Sequence, residues 1–448
     1  MPTNDAGSVR CRFVSPDVAT VLLDLPRTRA EIDRVQSERK RRAIAQALRA
    51  PFYRGRLEHV NLDRLDDPDE WRKIPILDKD MLRKLKDREF YELFCLTPED
   101  GIAEYWRSGG ATGTPLFYPR SYSDIAAAMV GFARVYDCTR CRRGGRAHLS
   151  FPLGIHPVGQ MLARAASTRG ISVNWAGSGT TTPSAMQLEL IERLRPNIWL
   201  GMSSYALHLA NLAEARGLDL AARSIEMVLC SAEPLSDAKR EKIARHWGAQ
   251  VRDTFGMTEA GMMGAEDKEG YGFRIWADMF LIEVLDPETS EPVGEGAIGS
   301  LVVTPLCTNN VTPFLRWNSG DIVTWHRGDD DSSPFSVFPL VKHTHRTSGF
   351  FKIRGVNLNH SEFEDFIFQN VDISDFKAEL LTERDLETLL LSVEVRRGVD
   401  PANAIMSVKS AVRDRFGLTP QIVVVESGSL AREFEASVKM PRFSDRRH

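Results

Sequence analysis

The chain reads as an α/β protein with two parts. The first, residues 1–345, is a large N-terminal domain with a parallel sheet flanked by helices, followed by a small antiparallel β subdomain. The second, residues 346–448, is a small α+β C-terminal domain. Three observations carry this reading. From Ala147 to Thr254 short β-rich runs alternate with amphipathic helical segments, the rhythm of a parallel sheet with helices packed on it. From Phe280 to Trp325 strand-like runs follow one another without helices. After the polar loop Gly328–Ser333 the pattern restarts as a unit of roughly 100 residues.

Taken in order, the first hundred residues are helical and charge-rich, as at Gln36–Ala50. Ile171–Ala176 is a strand, and Thr182-Pro183 opens a helix with the threonine as cap and the proline in the first turn. Asn197–Gly201 is a strand and Ser203–Arg216 a helix that Gly217 closes. Ile225–Ser231 is a strand, Ser236–Trp247 a helix closed by Gly248, and Gln250–Thr254 another strand. The antiparallel group comprises Phe280–Leu285, Ile298–Thr304 and Ile322–Trp325. Beyond a boundary near Arg346 come strand Phe350–Arg354, helix His360–Gln369, strands Phe376–Leu381 and Leu389–Val395, helix Ala402–Phe416 and strand Ile422–Glu426. No internal repeat or low-complexity tract interrupts them.

Composition narrows the function classes. With 58 Lys+Arg against 61 Asp+Glu, the net charge of −3 excludes a whole-protein basic footprint for nucleic acid and an acidic, disordered chain. The first ten residues lack the basic-then-apolar pattern of a signal peptide. The longest apolar stretch, Ala126–Ala133, is too short to span a bilayer. Six cysteines in 448 residues make no disulfide framework, so the expected setting is the reducing cytoplasm, with neither membrane nor nucleic acid as partner. Cys138 and Cys141 have C-x-x-C spacing. A structural zinc needs four ligands and only His148 is close in sequence, so two ordinary thiols in an Arg-rich turn are the preferred reading.

Five constellations carry chemistry. Ser108-Gly109-Gly110-Ala111-Thr112-Gly113 sets three glycines and two hydroxyls in six residues, exposing backbone N–H groups that can wrap an anion. Thr114 follows where a Walker loop needs Lys-Ser/Thr, and alone the segment equally describes a hairpin turn. Thr254-Phe255-Gly256-Met257-Thr258-Glu259 follows a strand, where open α/β sheets hold their ligands. Phe255 there would stack a base, with a hydroxyl for phosphate and a carboxylate for Mg²⁺; the alternative is a strand end with Phe255 in the core. Asp321, after Ser319-Gly320, is either a turn residue or an acceptor pair for two ribose hydroxyls. Arg346, Lys352 and Arg354 beside glycines suit a phosphate-handling hinge or a plain solvated face. Lys439 lies near the C-terminal basic run, where a lysine ordinarily serves solubility.

In their order and spacing, and with the Ser231-Ala232-Glu233-Pro234 turn between the first two, these motifs resemble the adenylate-forming superfamily. That group holds the acyl-CoA synthetases, luciferases and peptide-synthetase adenylation domains. The nearer likeness is to phenylacetate–CoA ligase-type enzymes, through Pro51-Phe-Tyr-Arg54, Pro75-Ile-Leu-Asp-Lys79, Ser204-Tyr-Ala-Leu207 and Gly272-Phe-Arg-Ile-Trp276, and it runs from residue 50 to 447. The resemblance implies ATP and Mg²⁺, and a C-terminal lid that rotates about Arg346–Gly349. It implies that Ser108 to Gly113 grip the triphosphate, and that Ser231, Ala232 and Glu233 with Asp253 and Phe255 frame adenine. Thr258 would touch phosphate, Glu259 would hold Mg²⁺, Asp321 helped by Arg346 would take the ribose, and Lys439 would be the catalytic lysine. Phe151-Pro-Leu-Gly-Ile-His156-Pro157 resembles the segment lining the acyl site, with Trp175, Tyr205 and Met257 expected nearby. His156 either positions the carboxylate or gates the second substrate, or is a satisfied structural histidine.

The substrate so implied is a carboxylic acid, aromatic or alicyclic because the pocket is uncharged and aromatic. The sequence departs from the family at Thr114 (often lysine), at Ser348-Gly349 (often an Asp pair) and at Arg274 (often histidine). Such departures, with the run from Phe350 to Glu364, look like specialised-metabolism relatives. Those include ligases joining coronafacic acid to amino acids and an enzyme activating a phenazine carboxylate. They tilt the expected acceptor toward an amine or amino acid over CoA. The rival readings are a stand-alone module handing acyl-AMP to a carrier protein or reductase, and a degenerate nucleotide-binding scaffold.

Overall fold

The computed structural model describes residues 24–96, 101–107, 116–268, 270–328, 333–346, 350–354, 356–383, 386–435 and 442–447. Helix α1 (Arg29–Ala47) begins where the Thr28 hydroxyl accepts from the Glu31 N–H at 3.2 Å. Strands β1 (Ile102–Arg107) and β2 (Phe117–Ser121) pair antiparallel in a two-stranded ribbon. Helix α2 (Tyr122–Cys138) follows from a capping box in which Ser121 and Asp124 satisfy each other's N–H groups. It was legible in the sequence only as an apolar stretch, Ala126–Ala133, most of which is buried.

Parallel strands and helices then alternate: β3 (Arg146–Leu149), α3 (Pro157–Thr168), β4 (Ser172–Trp175), α4 (Ser184–Leu194), β5 (Ile198–Gly201), α5 (Ser203–Ala215), β6 (Met227–Cys230), α6 (Asp237–Trp247) and β7 (Gln250–Met257). Gly217 and Gly248 adopt φ of +70° and +60° beyond α5 and α6, the left-handed stop read from the sequence. At α4 the reading needs correction. Pro183 is the cap residue, and the Thr182 hydroxyl instead donates to the Ala176 carbonyl at 2.6 Å.

A second correction concerns the antiparallel subdomain, which is not separate. Strands β8 (Gly261–Ala265), β9 (Phe273–Ile275), β10 (Phe280–Leu285), β11 (Ile298–Pro305), β12 (Trp317–His326) and β13 (Leu340–Arg346) continue the parallel sheet. The result is one eleven-stranded sheet of order β10-β11-β12-β13-β9-β8-β7-β6-β5-β3-β4. The join is β7. Residues Gln250 to Asp253 pair parallel with β6, and Thr254 to Met257 pair antiparallel with β8. An eight-residue strand is long enough to belong to both ladders.

The C-terminal part consists of the hairpin β14 (Phe350–Ile353) and β15 (Val356–Asn359), α7 (His360–Gln369), β16 (Ile373–Glu383), β17 (Leu386–Val395), α8 (Pro401–Phe416), β18 (Gln421–Val425), α9 (Ser429–Glu435) and β19 (Phe443–Asp445). Its sheet has order β18-β17-β16-β19. Polar contacts dock it on α5 and α6. Asn211 Nδ2 donates to Asp375 Oδ2 at 3.1 Å, Lys242 Nζ donates to the Ile373 carbonyl at 2.8 Å, and Lys239 pairs with Glu364 at 2.9 Å. Among the described residues, no helix is long and apolar enough to cross a membrane.

Beneath the parallel sheet lies a buried polar network. Asn174 Nδ2 donates to His148 Nδ1 at 3.0 Å, which leaves Nε2–H to donate to Gln187 Oε1 at 3.2 Å. Ser150 donates to the same Gln187 oxygen at 2.7 Å. That pattern suits neutral imidazole, and burial pulls His148 down from 6.5 to about 4. Between those values the unfolded chain binds a proton that the folded chain does not. Stability therefore falls as pH drops from 6.5 toward 4, by about 3 kcal/mol in full. In His148→Gln this loss should vanish, so thermal midpoints measured across that window should fall less steeply than in the parent chain. Equal slopes would contradict the assignment.

Candidate functional site

A cleft of about 1190 Å³ opens at the carboxyl ends of the parallel strands, where β7 changes ladder. Three sequence motifs that lie far apart along the chain form its walls.

The first wall is the turn after β6. Ser231 is buried, and Ala232 adopts φ +69°, a left-handed conformation that non-glycine residues seldom take and that concentrates at functional turns. Glu233 lines the cleft, but its carboxylate is turned toward α5, accepting from the Ser204 N–H at 3.0 Å and the Ser203 hydroxyl at 3.3 Å. It caps that helix, so the backbone of Ser231 to Glu233 rather than the Glu233 charge faces a ligand.

The second wall is the end of β7. Thr254 Oγ1 donates to the Cys230 carbonyl at 3.0 Å, tying β7 to β6. Asp253 is buried; burial, then the adjoining Glu266 carboxylate, push its carboxyl well above the usual range. Its Oδ1 accepts from the Thr254 N–H at 2.8 Å, and its own N–H donates to Glu266 Oε2 at 2.9 Å. Arg240 holds Glu266 through two bonds, of 2.8 and 2.7 Å. Phe255 is buried; its ring stacks on Phe273 at 5.3 Å and 24°, and both residues line the cleft. At Gly256 a Cβ would sit 2.5 Å from the Gly261 carbonyl oxygen, so the strand can turn there only without a side chain. Met257 and Thr258 follow half-buried on the wall, and Glu259 is buried with Oε1 accepting from the Tyr118 hydroxyl at 3.0 Å.

The third wall is β12. Gly320 takes φ +75°, and the Asp321 N–H donates to the Ser319 hydroxyl at 3.0 Å. Asp321 Oδ1 meets His343 Nε2 at 3.1 Å. Arg346 stands opposite Asp321 in the β12–β13 ladder. Trp106, Phe132, Phe151 and Met202 give the same cleft an apolar region, with His156 and Pro157, at the start of α3, beside it.

Other expected residues sit elsewhere. Trp175 ends the edge strand β4 and is 49 % exposed, off the cleft wall. Tyr205 is buried below the cleft; its hydroxyl bonds Ser184 at 2.9 Å and accepts from Gln187 Nε2 at 2.9 Å. Both were expected beside the acyl segment from the family resemblance, which does not decide where a side chain points. Lys352 is exposed on β14, not on the cleft wall. Arg274 is buried and pairs with Asp267 at 3.1 Å, a structural role. Cys138 is buried at the end of α2, and among the described residues no three His, Cys, Asp or Glu side chains could hold a metal. Ser108, Gly109, Gly110, Ala111, Thr112, Gly113 and Thr114 lie outside the described residues, as do Ser348, Gly349 and Lys439.

Sequence reasoning missed Arg240, Glu266, His343, Tyr118 and Arg120. Removing the positive partner of a buried pair leaves an uncompensated charge, so Arg240→Met should destabilise the protein by about 3–5 kcal/mol in urea unfolding. A change below about 1 kcal/mol would remove the Arg240–Glu266 pair from this account.

A family model described as AMP-binding enzyme matches residues 59–307. Phenylacetate-coenzyme A ligase of Thermus thermophilus is 27% identical over 432 residues, 90% of this chain and 94% of that protein. Indoleacetate–lysine synthetase of Pseudomonas savastanoi is 26% identical over 147 residues, 32% of this chain and 33% of that protein. A crystal structure of 2-hydroxyisobutyryl-CoA ligase in the postadenylation state, in complex with R3-HIB-AMP, matches at TM-score 0.79 and 22% identity, covering 93% of this chain and 91% of that one, which shows the shared fold. Since the matched segment runs from ahead of β1 to beyond β11, over half the chain, the protein belongs to the AMP-binding enzyme family, the adenylate-forming superfamily, and is an AMP-forming carboxylate ligase.

Proposed function

We propose that this protein activates an aromatic or alicyclic carboxylic acid with ATP and transfers the acyl group to coenzyme A. The observation that carries the proposal is the convergence, in one cleft, of the Ser231–Glu233 turn, the Phe255–Glu259 segment and Asp321 beside an uncharged aromatic region. In the first step a carboxylate oxygen attacks the α-phosphorus of ATP, the bond to the β-phosphate bridge breaks, and pyrophosphate leaves. In the second, the acceptor's sulfur or nitrogen attacks the acyl carbonyl, loses its proton, and AMP departs. The substrate carboxylate is the nucleophile, so no Ser or Cys nucleophile is required.

The chain's own residues would bind and orient. The backbone from Ser231 to Glu233, with Asp253 and Phe255, would frame the adenine. Asp321, held by His343, would accept from the ribose hydroxyls. Trp106, Phe132 and Phe151 would exclude water around the acid's ring. Thr258 would donate to phosphate, with Ser108 to Gly113 around the triphosphate. Glu259 suits Mg²⁺ by the chemistry of its donor: a hard carboxylate oxygen on the cleft wall, where Mg²⁺ ordinarily takes one or two carboxylates and completes its shell with phosphate and water. When bound, the ion would supply charge neutralisation for the polyphosphate. Two unit charges about 4 Å apart repel by roughly 4 kcal/mol at an effective dielectric of 20, so bringing a carboxylate to ATP needs such offsets. Lys439 would provide another where charge builds in the transition state.

Coenzyme A is favoured as acceptor because the Thermus thermophilus relative, matched over nearly its whole length, carries that activity in its name. A second reading, an amide-forming transfer to an amine or amino acid, is supported by the shorter likeness to indoleacetate–lysine synthetase. We place the reaction in the cytoplasm, where thiols such as Cys95, Cys138 and Cys307 stay reduced.

Pyrophosphate release measured across a grid of acids against CoA, amino acids and simple amines should be highest with an aromatic acid and CoA. Turnover with amino acids and none with CoA would select the amide reading. Release that depends on acid but on no acceptor would select an adenylating module serving a carrier protein. Lys439→Ala should slow acid-dependent ATP–pyrophosphate exchange by about 10²–10³-fold, and a near-normal rate would remove Lys439 from catalysis. Asp321→Ala should raise the KM for ATP about tenfold or more, the loss of a charge-assisted bond, with the KM for the acid little changed.

A further inference from the structure

Strand β2 begins four residues beyond Gly113, and its alternate side chains share a face. Tyr118 and Arg120, two positions apart, both reach the segment that ends the second cleft wall. The Tyr118 hydroxyl donates to Glu259 Oε1 at 3.0 Å. Arg120 Nη2 donates to the Thr258 carbonyl at 2.6 Å and to the Glu259 carbonyl at 2.7 Å. Its Nη1 donates to the Thr308 carbonyl at 2.7 Å and to Thr312 Oγ1 at 3.0 Å, and the guanidinium lies 5.0 Å from the Trp106 ring centroid.

Both side chains have 0 % exposure, and burying a guanidinium is costly unless its donors are placed. Here its donors go chiefly to carbonyl oxygens, two of them on the consecutive residues Thr258 and Glu259. An arginine at this depth is a poor way to fill space; it is a good way to fix two peptide planes. With those planes held by Arg120, the carboxylate cannot turn without breaking its bond from the Tyr118 hydroxyl.

We propose that Tyr118 and Arg120 are positioning residues for acid activation, setting the Glu259 carboxylate in the orientation that receives Mg²⁺–ATP. They touch neither substrate nor metal. The proposal rests on the reading of Glu259 as metal ligand, and its test separates the two.

ATP binding to the full chain is measured by isothermal titration calorimetry without acid, once in EDTA and once in excess Mg²⁺, for the parent protein and for Tyr118→Phe, Arg120→Lys and Glu259→Gln. Tyr118→Phe removes one hydroxyl at nearly constant volume. Partners that orient a metal ligand are commonly worth about 10–100-fold in metal affinity, so its Kd for Mg²⁺–ATP should rise by about tenfold or more while its Kd for ATP in EDTA stays unchanged. Arg120→Lys should shift Mg²⁺–ATP binding in the same direction. If that variant fails to fold, Tyr118→Phe decides alone. A parent-like Mg²⁺–ATP affinity in Tyr118→Phe, beside a lost one in Glu259→Gln, overturns the positioning role only. Parent-like affinity in Glu259→Gln overturns the metal reading and the proposal with it.

Discussion

The structure depends on β7 serving two ladders. Its first half extends a parallel sheet and its second half begins an antiparallel one, and the change must happen in the interior, where water cannot satisfy the backbone. Glu266 resolves this by accepting from the Asp253 N–H at 2.9 Å while Arg240 neutralises it from α6. A charge, a helix and a strand end are thereby fixed to one another at the point where the two sheet types meet. The cleft opens at this point because the parallel strands end here, where β7 changes ladder. The Phe255–Glu259 segment lines the cleft as a consequence of the same change of ladder.

Much of this was legible in the sequence. The bounds of β10 and α7 coincide with those read from residues alone, and the glycines closing α5 and α6 stop them as expected. These features are local: a cap, a left-handed glycine or an alternating run states its conformation within a few residues. The motifs meeting in the cleft were legible through their order, since evenly spread short signatures are informative together where each alone has a structural explanation. Their separate placement was not, as Glu233 illustrates by turning its carboxylate to a helix end.

What could not be read was decided by tertiary packing. Helix α2 is buried over most of its length, and a short apolar run by itself does not distinguish a buried helix from a strand. The continuity of the sheet rests on the approach of Gly256 to the Gly261 carbonyl, which no periodicity encodes. Strand β2 holds Pro119 at its centre, ordinarily a reason to reject a strand; it is tolerated because β2 pairs with β1 alone. Trp175 and Tyr205, both near motif residues in sequence, diverge because one ends an edge strand and the other faces inward from α5. Buried ion pairs such as Arg240–Glu266 leave no trace in a near-neutral overall charge.

Attack of a carboxylate on the α-phosphorus of ATP leaves a trace in the products that oxygen labelling reads. An aromatic acid labelled with oxygen-18 in both carboxylate oxygens is incubated with the enzyme, ATP, Mg²⁺ and acceptor, and the nucleotide and phosphate products are separated and weighed by mass spectrometry. Attack at the α-phosphorus puts a single labelled oxygen in AMP and none in pyrophosphate. Label appearing in orthophosphate together with ADP would mean attack at the terminal phosphorus, and would contradict it.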